Sequence, residues 1–271
     1  MLMYTPKKKN KFIDNLVSII MPAFNSAGYI CESIDSVLAQ TYAEWELWVV
    51  DDGSMDNTAD IVKNFKDKRI HYVKQSTNKG VSAARNLGIE RSRGRFLAFL
   101  DSDDVWLPEK LEKQLDFMHR KKCGISYTEY RHFGNQPDVA GKLIRTRDSV
   151  DYQGLLRGND IGCLTVIIDR WQHPRIVMPP YRHEDYLTWL GLLSGGGMAY
   201  SLHEDLARYR KSDKSLSSNK WNNTANVQIT DFIDDFFTIQ NRLNAIGFNR
   251  YLCAFSKFLI NKNILILISC I

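Results

Sequence analysis

The sequence predicts an α/β fold whose central sheet is mostly parallel and is flanked by helices. Two observations support this prediction. Short apolar segments rich in β-branched or aromatic residues recur at similar intervals, and segments with helical spacing separate them. Alternation of strand and helix is typical of parallel strands joined by right-handed crossovers. The four predicted strands span residues 16–21, 46–50, 69–73 and 95–100.

Helices are predicted between these strands from the spacing of apolar residues. The first helix places its apolar side chains on one face, behind a predicted cap at Asn25 or Ser26. The second is predicted to begin at an Asp56 cap. The third, residues 80–92, carries small side chains and is expected to pack closely against the sheet.

Composition narrows the class of protein and its partners. The chain has 271 residues, of which 44% are apolar and 25% charged, so it is globular and long enough for one large domain. Its net charge of +5 is dispersed, which argues against a nucleic-acid partner, although a lysine cluster at residues 7–11 can contact anionic lipid. The five cysteines are far apart and form no CxxC pair. Neither a disulfide framework nor a zinc site is therefore predicted, and a cytoplasmic location is favoured.

The chain divides into three parts. A basic tail, residues 1–15, precedes the main domain, residues 16–210, in which the regular alternation loosens after residue 120. Residues 162–169 are predicted to form a further strand. Residues 211–271 are predicted to contain a mobile segment and then an annex of amphipathic helices, whose apolar end is too short to span a bilayer as a helix.

An acidic cluster follows the fourth predicted strand, in the segment FLAFLDSDDVW. Asp101, Asp103 and Asp104 follow a run of apolar residues that is expected to be buried. Carboxylate oxygens at this spacing suit Mg²⁺ or Mn²⁺, and a diphosphate is the natural co-ligand of such a cation. In the alternative interpretation one aspartate caps a helix near Pro108, which accounts for one carboxylate and leaves two unexplained.

Polar residues also follow the first two strands, and ligands of open α/β sheets bind beyond the carboxyl ends of the strands. Asp51 and Asp52 stand where a carboxylate can accept a hydrogen bond from the ring N–H of a base, or where they simply form an acidic turn. Arg85 in the third helix can balance the charge of the acidic edge or contact a phosphate, and a surface position is equally consistent with the sequence. Glu184 and Asp185 precede an apolar helical face, so either can cap that helix or act as a general base, and spacing alone favours capping.

Together these segments resemble the family 2 glycosyltransferases, the inverting nucleotide-sugar enzymes of GT-A fold. The matching segments are VSIIMPAFN, SVLAQTYAEWELWVVDDGSMDNT, NKGVSAARNLGIERSRGRFLAFLDSDD and HEDYLTWLGLL. The resemblance covers roughly residues 16–217, and the motifs in this combination and order are highly specific.

The resemblance implies a GT-A fold with a nucleotide-binding half at residues 16–120 and an acceptor-binding half at residues 121–210. It implies transfer of a hexose or N-acetylhexosamine from a UDP-sugar to a carbohydrate acceptor with inversion. The expected acceptor is a lipid-linked oligosaccharide used in cell-surface polysaccharide biosynthesis, such as that of lipopolysaccharide. A cytoplasmic protein with peripheral contact to the inner face of the membrane would meet such an acceptor.

The resemblance also implies a role for each matching residue. Asp103, together with Asp101, would hold a divalent cation, Mg²⁺ or Mn²⁺, that bridges the diphosphate. Asp185 would be the catalytic base that deprotonates the acceptor hydroxyl, which reverses the preference for capping. The residues expected to border or hold the nucleotide are Pro22, Phe24, Asn25, Asp51, Asp52, Gly80, Arg85 and Asp101.

One element departs from the family pattern. Many relatives carry a YRxH element whose His can touch metal or diphosphate, whereas YRKSDKSLS places Ser212 at the position of that His. Either Lys211 or Lys214 therefore supplies charge to phosphate, or the metal dependence differs from the usual form.

Two other functions share some of these features. A sugar-1-phosphate nucleotidyltransferase also uses a parallel sheet and Mg²⁺, but it needs a Gly-rich basic loop after the first strand, which MPAFNSAGYI lacks. A non-catalytic nucleotide-sugar binder or partner subunit would keep the acidic edge without turnover.

Overall fold

The computed structural model describes residues 12–134 and 141–211. Most of the predicted basic tail, and the predicted mobile segment and C-terminal helices beyond Lys211, lie outside the described residues. Ser212 and Lys214 also lie outside them. None of the helices in the described ranges has both the length and the apolar character needed to span a bilayer.

The predicted alternation of strand and helix is confirmed in the first half. Its elements are β1 (Ile13–Ala23), α1 (Ile30–Leu38), β2 (Trp45–Asp51), α2 (Thr58–Asn64), β3 (Ile70–Lys74), α3 (Val81–Arg91) and β4 (Gly94–Phe99). The strand β1 begins three residues before the predicted start, so part of the predicted tail belongs to the sheet. The Ile13 amide donates to the Arg93 carbonyl at 2.9 Å, which extends the pairing beyond the apolar run.

The second half contains shorter and less regular elements. They are β5 (Val105–Trp106), α4 (Lys110–Lys121), β6 (Ile125–Phe133), β7 (Leu143–Ile144), β8 (Ser149–Val150), α5 (Tyr152–Leu155), β9 (Ile167–Asp169), α6 (Glu184–Leu193) and β10 (Ala199–Arg210). The single strand predicted at residues 162–169 is wrong in its first part, where Cys163–Thr165 forms a 3₁₀ turn. The amide and hydroxyl of Thr165 both donate to the Gly162 carbonyl and close this turn.

One sheet in the described part of the chain contains ten strands in the order β3-β2-β1-β4-β9-β6-β10-β5, with β7 beside β6 and β8 beside β10. The pairs β3/β2, β2/β1, β1/β4 and β6/β10 are parallel. Because β9 is antiparallel to both β4 and β6, those two strands run in the same direction. The carboxyl ends of β1, β2, β4, β6 and β10 therefore lie along one edge of the sheet.

Helices cover both faces of this sheet. On one face, alternate side chains of β1, β2 and β4 pack with α1 and α4 in a continuous buried cluster. On the other face α3 approaches β1 so closely that a Cβ added at Gly88 would lie 2.6 Å from Ile20 Cγ2. There too, the Phe99 ring of β4 lies 6.0 Å from the Trp189 ring of α6. Strands buried on both faces explain the nearly continuous apolar runs of the sequence.

The predicted helix caps are only partly present. Asn25 and Ser26 do not cap α1, because the helix begins later, at Ile30, and has no side-chain cap. The Asn25 side chain instead accepts a hydrogen bond from the Met55 amide at 2.9 Å. The cap residue of α2 is Asn57 and not Asp56 as predicted, although Asp56 accepts hydrogen bonds from the amide and hydroxyl of Thr58, the first residue of the helix.

Candidate active site

The acidic loop, residues 101–104, follows β4 at the edge where the parallel strands end. The Asp104 amide donates to the Asp101 carbonyl at 3.1 Å, which closes a turn after the strand. The Asp101 side chain is about one-third exposed (32%), Asp103 is half-buried and Asp104 is buried. Three carboxylates thus lie at the end of a central strand, as the sequence predicts.

The charges of the acidic loop are only partly compensated. Burial and the neighbouring charge of Asp101 raise the pKa of Asp103 to about 6. Burial and the charges of Asp103 and Asp101 raise the pKa of Asp104 as well. Asp104 Oδ1 accepts a hydrogen bond from the Arg210 amide at 2.8 Å, and its Oδ2 has no hydrogen-bond partner among the described residues. The alternative in which an aspartate caps the next helix is wrong, because α4 has no side-chain cap.

A divalent cation fits these side chains. The donors are carboxylate oxygens, which Mg²⁺ and Mn²⁺ prefer, and positive charge would offset the repulsion that raises the pKa of Asp103. In the described ranges no group of three His, Cys, Asp or Glu side chains could hold a metal by itself. Asp101 and Asp103 are the carboxylates that would hold such a cation.

Arg85 joins the acidic loop to the start of α6. Its Nη2 donates to Asp101 Oδ1 at 2.5 Å, and its Nη1 donates to Glu184 Oε1. The Arg85 side chain is only 4% exposed, so the alternative of a surface arginine is wrong. One guanidinium group thereby pairs with both the acidic loop and the start of α6, which are 80 residues apart in the chain.

Asp185 lies next to this ion-pair network, in the first turn of α6. Its Oδ1 accepts a hydrogen bond from the Tyr186 amide at 2.7 Å. Burial raises the pKa of Asp185, and the positive charge of Arg85 opposes the rise. Neither Glu184 nor Asp185 is the cap residue of α6, which is His183 in a left-handed conformation. A half-buried carboxylate with a raised pKa is a better proton acceptor than an exposed aspartate.

The carboxylates of Asp51 and Asp52 are buried and hydrogen-bonded within the protein. Asp51 accepts from the Ser54 amide at 2.7 Å and from the Tyr72 hydroxyl at 2.5 Å. Asp52 accepts from the Gln75 side chain and from two backbone amides, one of them that of Gly80. Gly80 has φ +87°, which favours glycine, and it directly precedes α3. These contacts fix the loop that follows β2, at the edge of the sheet where the parallel strands end. Contact of either aspartate with a nucleotide base stays a prediction.

The residues that follow β1 form the neighbouring part of the edge. Pro22 is buried within β1, whereas Phe24 is 45% exposed. Asn25 has φ +50° and its amide donates to the Ser54 hydroxyl at 2.9 Å, so the β1 and β2 loops are tied together. The Phe24 ring, next to the hydrogen bond between Asn25 and Ser54, is exposed and can border a ligand.

Arg210, at the end of β10, is a structural residue of the site that the sequence does not predict. Its side chain is buried, and its Nε donates to the Asp103 carbonyl at 2.7 Å. Its guanidinium also pairs with Glu32 of α1 and donates to the Gly134 carbonyl. The YR dipeptide marks the position, but only the pairing of β10 with β6 shows that this arginine supports the acidic loop.

Glu184 and Cys163 have roles in the site that the sequence does not predict. Glu184 is the second anchor of Arg85, and Cys163 in the 3₁₀ turn lies near enough for Arg85, Asp101 and Asp185 to influence the pKa of its thiol, which burial raises. The adjacent acidic pair at residues 184 and 185 was the available signal for Glu184. No pattern in the sequence marks Cys163.

Comparison with known proteins supports the family resemblance seen in the sequence. The family model for glycosyl transferase family 2 matches residues 18–173, more than half of the chain. The Bacillus subtilis protein TuaG, to which teichuronic acid biosynthesis is attributed, is 46% identical over 209 residues, or 76% of this chain and 83% of TuaG. The Escherichia coli UDP-Glc:α-D-GlcNAc-diphosphoundecaprenol β-1,3-glucosyltransferase WfgD is 42% identical over 209 residues, or 77% of this chain and 82% of WfgD.

A solved structure supports the fold. Staphylococcus aureus TarS (residues 1–349), crystallised with UDP, superposes with a TM-score of 0.62 at 23% identity. The match covers 73% of this chain and 61% of the TarS chain, so this chain spans less than two thirds of that protein. Because more than half of the chain matches the family model, the protein belongs to glycosyl transferase family 2 and is a glycosyltransferase of GT-A fold.

Proposed function

We propose that this glycosyltransferase moves a hexose or N-acetylhexosamine from a UDP-sugar to a lipid-linked carbohydrate acceptor in cell-surface polysaccharide biosynthesis. The observation that carries the proposal is the Arg85 bridge, which joins the acidic loop to the element that bears Asp185. A site for a sugar diphosphate and a candidate base for an acceptor hydroxyl are thereby adjacent. The relatives named for teichuronic acid biosynthesis and for a diphosphoundecaprenol acceptor, and the TarS complexes with UDP and UDP-GlcNAc, support the donor and acceptor classes.

The proposed chemistry is a single displacement. Asp185 accepts the proton of the acceptor hydroxyl, and the acceptor oxygen forms a bond to the anomeric carbon of the donor. The bond from that carbon to the diphosphate breaks on the opposite side, so the anomeric configuration inverts and UDP leaves with the bonding electrons. A divalent cation held by Asp101 and Asp103 would supply charge stabilisation for the departing diphosphate.

The nucleotide is proposed to lie along the ends of β1 and β2. Phe24 and Asn25 would border the base, and Asp51 and Asp52, with Gly80, would shape its pocket. Pro22 would contribute by setting the direction of the chain at the end of β1, because its side chain is buried. Arg85 and Asp101 would stand at the diphosphate end, beside the cation.

The acceptor class also gives the proposed location. A lipid-linked acceptor would bring the enzyme to the inner face of the cell membrane, and peripheral membrane contact is part of the proposal. The basic cluster at residues 7–11 and the apolar end at residues 264–271 are the segments proposed for this contact, and both lie outside the described residues.

The decisive experiment compares transfer with binding. The protein is incubated with several UDP-sugars, Mn²⁺ and a synthetic sugar-diphosphate lipid, and the configuration of the new linkage is determined by NMR. Asp185→Asn is expected to keep its affinity for UDP in calorimetry and to lose transfer by about 100-fold or more.

Three outcomes would contradict the proposal. Full transfer activity in Asp185→Asn would remove this residue as the base, and a clear preference for a GDP- or dTDP-sugar would overturn the UDP assignment. Binding of a UDP-sugar without any transfer or hydrolysis by the wild-type protein would favour a non-catalytic binder instead.

A further inference from the structure

Three half-buried aromatic residues gather near the carboxyl ends of β6 and β10. The ring centroids of Tyr130 and His132 are 6.0 Å apart, those of His132 and Tyr209 are 5.7 Å apart, and those of Tyr130 and Tyr209 are 6.2 Å apart. His132 and Tyr209 are partners in the parallel register of the two strands, and Tyr130 precedes His132 by two residues, on the same face of β6. We call these three residues the aromatic trio.

The aromatic trio lies beside the acidic loop and the candidate base. The peptide that joins Tyr209 to Arg210 lies against the acidic loop, because its amide, that of Arg210, donates to Asp104 Oδ1 at 2.8 Å. Burial, the adjacent Tyr209 and the negative charges of Asp104 and Asp185 raise the pKa of Tyr130 to about 12, so both carboxylates are within electrostatic range of its hydroxyl. The Tyr130 ring also packs against Gly162, where an added Cβ would lie only 3.3 Å from Tyr130 Cε1.

Two exposed lysines flank the trio. The Lys142 carbonyl accepts a hydrogen bond from the His132 amide, and the Lys211 amide donates to the carbonyl of the adjacent Phe133. Burial, followed by the positive charges of Lys211 and Lys142, lowers the pKa of His132. The lowered pKa favours the neutral imidazole, and the Lys142 and Lys211 side chains bring positive charge close to the rings.

We propose that the aromatic trio, with Lys142 and Lys211, forms the acceptor subsite and takes a pyranose ring linked to a diphosphate. This inference rests on the proposed function and assigns residues to its acceptor. The apolar C–H face of a pyranose packs well on aromatic rings, and ammonium groups bind diphosphate oxygens. The strands β6 and β10 lie on the opposite side of β4 from β1 and β2, whose loops are proposed to hold the nucleotide of the donor. The occupant of the trio is therefore an acceptor sugar.

The test measures binding of an acceptor analogue directly. A water-soluble alkyl diphosphate of α-N-acetylglucosamine is titrated into the full-length protein by calorimetry, in the presence of UDP and Mn²⁺. Tyr130→Leu, His132→Leu and Tyr209→Leu are each expected to weaken its binding by about tenfold or more, while the affinity for UDP stays unchanged. Lys142→Ala and Lys211→Ala are expected to weaken binding of the diphosphate analogue but not of the corresponding methyl glycoside.

Tyr200→Leu is the matched control. Tyr200 is also a half-buried tyrosine of β10, but it pairs with Ser126 at the opposite end of the strand pair and its ring lies under Lys121. It should lose comparable stability, measured by thermal unfolding, and keep its affinity for the analogue. If Tyr200→Leu weakens analogue binding as much as the trio variants do, the effect is structural and the proposal fails.

Three further results would overturn the proposal in distinguishable ways. Unchanged analogue binding in folded trio variants would remove the subsite and leave the proposed transfer reaction intact. A higher KM for the UDP-sugar, with an unchanged KM for the acceptor, in the Lys142 and Lys211 variants would assign these lysines to the donor diphosphate. Failure of the wild-type protein to bind the analogue while still transferring sugar to another acceptor would exclude this acceptor class.

Discussion

Arg85 is one positive charge shared among several carboxylates. It pairs with Asp101 and Glu184, and its charge also reaches Asp185. Burial raises the pKa of Asp185, the negative charge of Glu184 raises it further, and Arg85 lowers it. A buried ion pair of this kind contributes little to net stability, but removal of one partner leaves a charge without compensation. We therefore expect this cluster to control the protonation of the base more than the stability of the fold.

The first prediction concerns the pH dependence of kcat. The base must be deprotonated to act, so activity falls as the pH drops through the pKa of Asp185. Glu184→Gln removes a charge that raises this pKa, and the acidic limb of the kcat profile should move to lower pH. Arg85→Met removes the opposing charge, so the limb should move to higher pH, with kcat at neutral pH lowered by about tenfold or more.

Glu90→Gln, on the exposed side of α3, is the control for these two variants and should leave the profile unchanged. Equal shifts of the same sign in Glu184→Gln and Arg85→Met would show that the cluster acts only by holding the structure together.

At the scale of elements, the close packing of α3 on β1 positions Arg85. Gly88 lies one helical turn after Arg85, and any larger side chain there would collide with Ile20 of the central strand. The small side chains of α3 let the helix lie close enough to the sheet for the buried guanidinium to reach Asp101. The small side chains of α3 therefore determine both the packing of the helix and the geometry of the ion-pair network.

The second prediction tests this packing. Gly88→Ala places a methyl group 2.6 Å from Ile20 Cγ2 and should destabilise the protein by about 1–3 kcal/mol, with a loss of transfer activity as α3 shifts. Gly191→Ala in α6 is the matched helical control, because an added Cβ there has no neighbour within 4 Å. Since alanine favours helix over glycine, that control should gain about 0.5–1 kcal/mol. Urea unfolding measures both variants, and a neutral Gly88→Ala would contradict the proposed close approach.

At the scale of the whole molecule, residues from both halves of the main domain meet at the edge of the sheet where the parallel strands end. The acidic loop comes from the end of β4, its support Arg210 from β10, and the candidate base from α6. The strand β9 lies between β4 and β6 and is antiparallel to both, so β4 and β6 run in the same direction. Ligand binding at this edge should consequently stabilise the main domain as a unit.

The third prediction concerns ligand-induced stability. UDP with Mn²⁺ at about 100 times its Kd should stabilise the folded state by about 2.7 kcal/mol, which raises Tm by roughly 5–10 °C for a domain of this size. Asp103→Asn should abolish the part of the shift that depends on Mn²⁺, because one of the two proposed cation ligands is lost. The readout is thermal unfolding with UDP alone, Mn²⁺ alone and both together, and a shift in Asp103→Asn equal to that of the wild type would exclude this residue as a ligand.

The first half of the fold could be predicted because its signals are local. Apolar runs such as residues 95–100 are buried on both faces, so their composition alone identifies them as strands. The strands β6 and β10 are different, because they mix polar, charged and aromatic residues that are stabilised by pairing with each other over long sequence distances. Caps were predicted poorly at Asn25 and Ser26, because both side chains are used elsewhere and α1 starts later. Asn25 accepts from the Met55 amide in the loop after β2, and the Ser26 hydroxyl pairs with the Ser102 hydroxyl of the acidic loop.

The sequence is enough to predict that an α/β sheet presents carboxylates beyond its central strands, because the buried apolar runs and the acidic residues that follow them are adjacent in the chain. Which charges meet depends on the tertiary structure. Arg85 with Glu184, Arg210 with the acidic loop, and Tyr130 with Tyr209 are each separated by more than seventy residues, and no local pattern encodes such a contact. The physical reason is that an ion pair or an aromatic contact depends on the positions of two elements relative to each other. Those positions are set by the packing of the whole sheet.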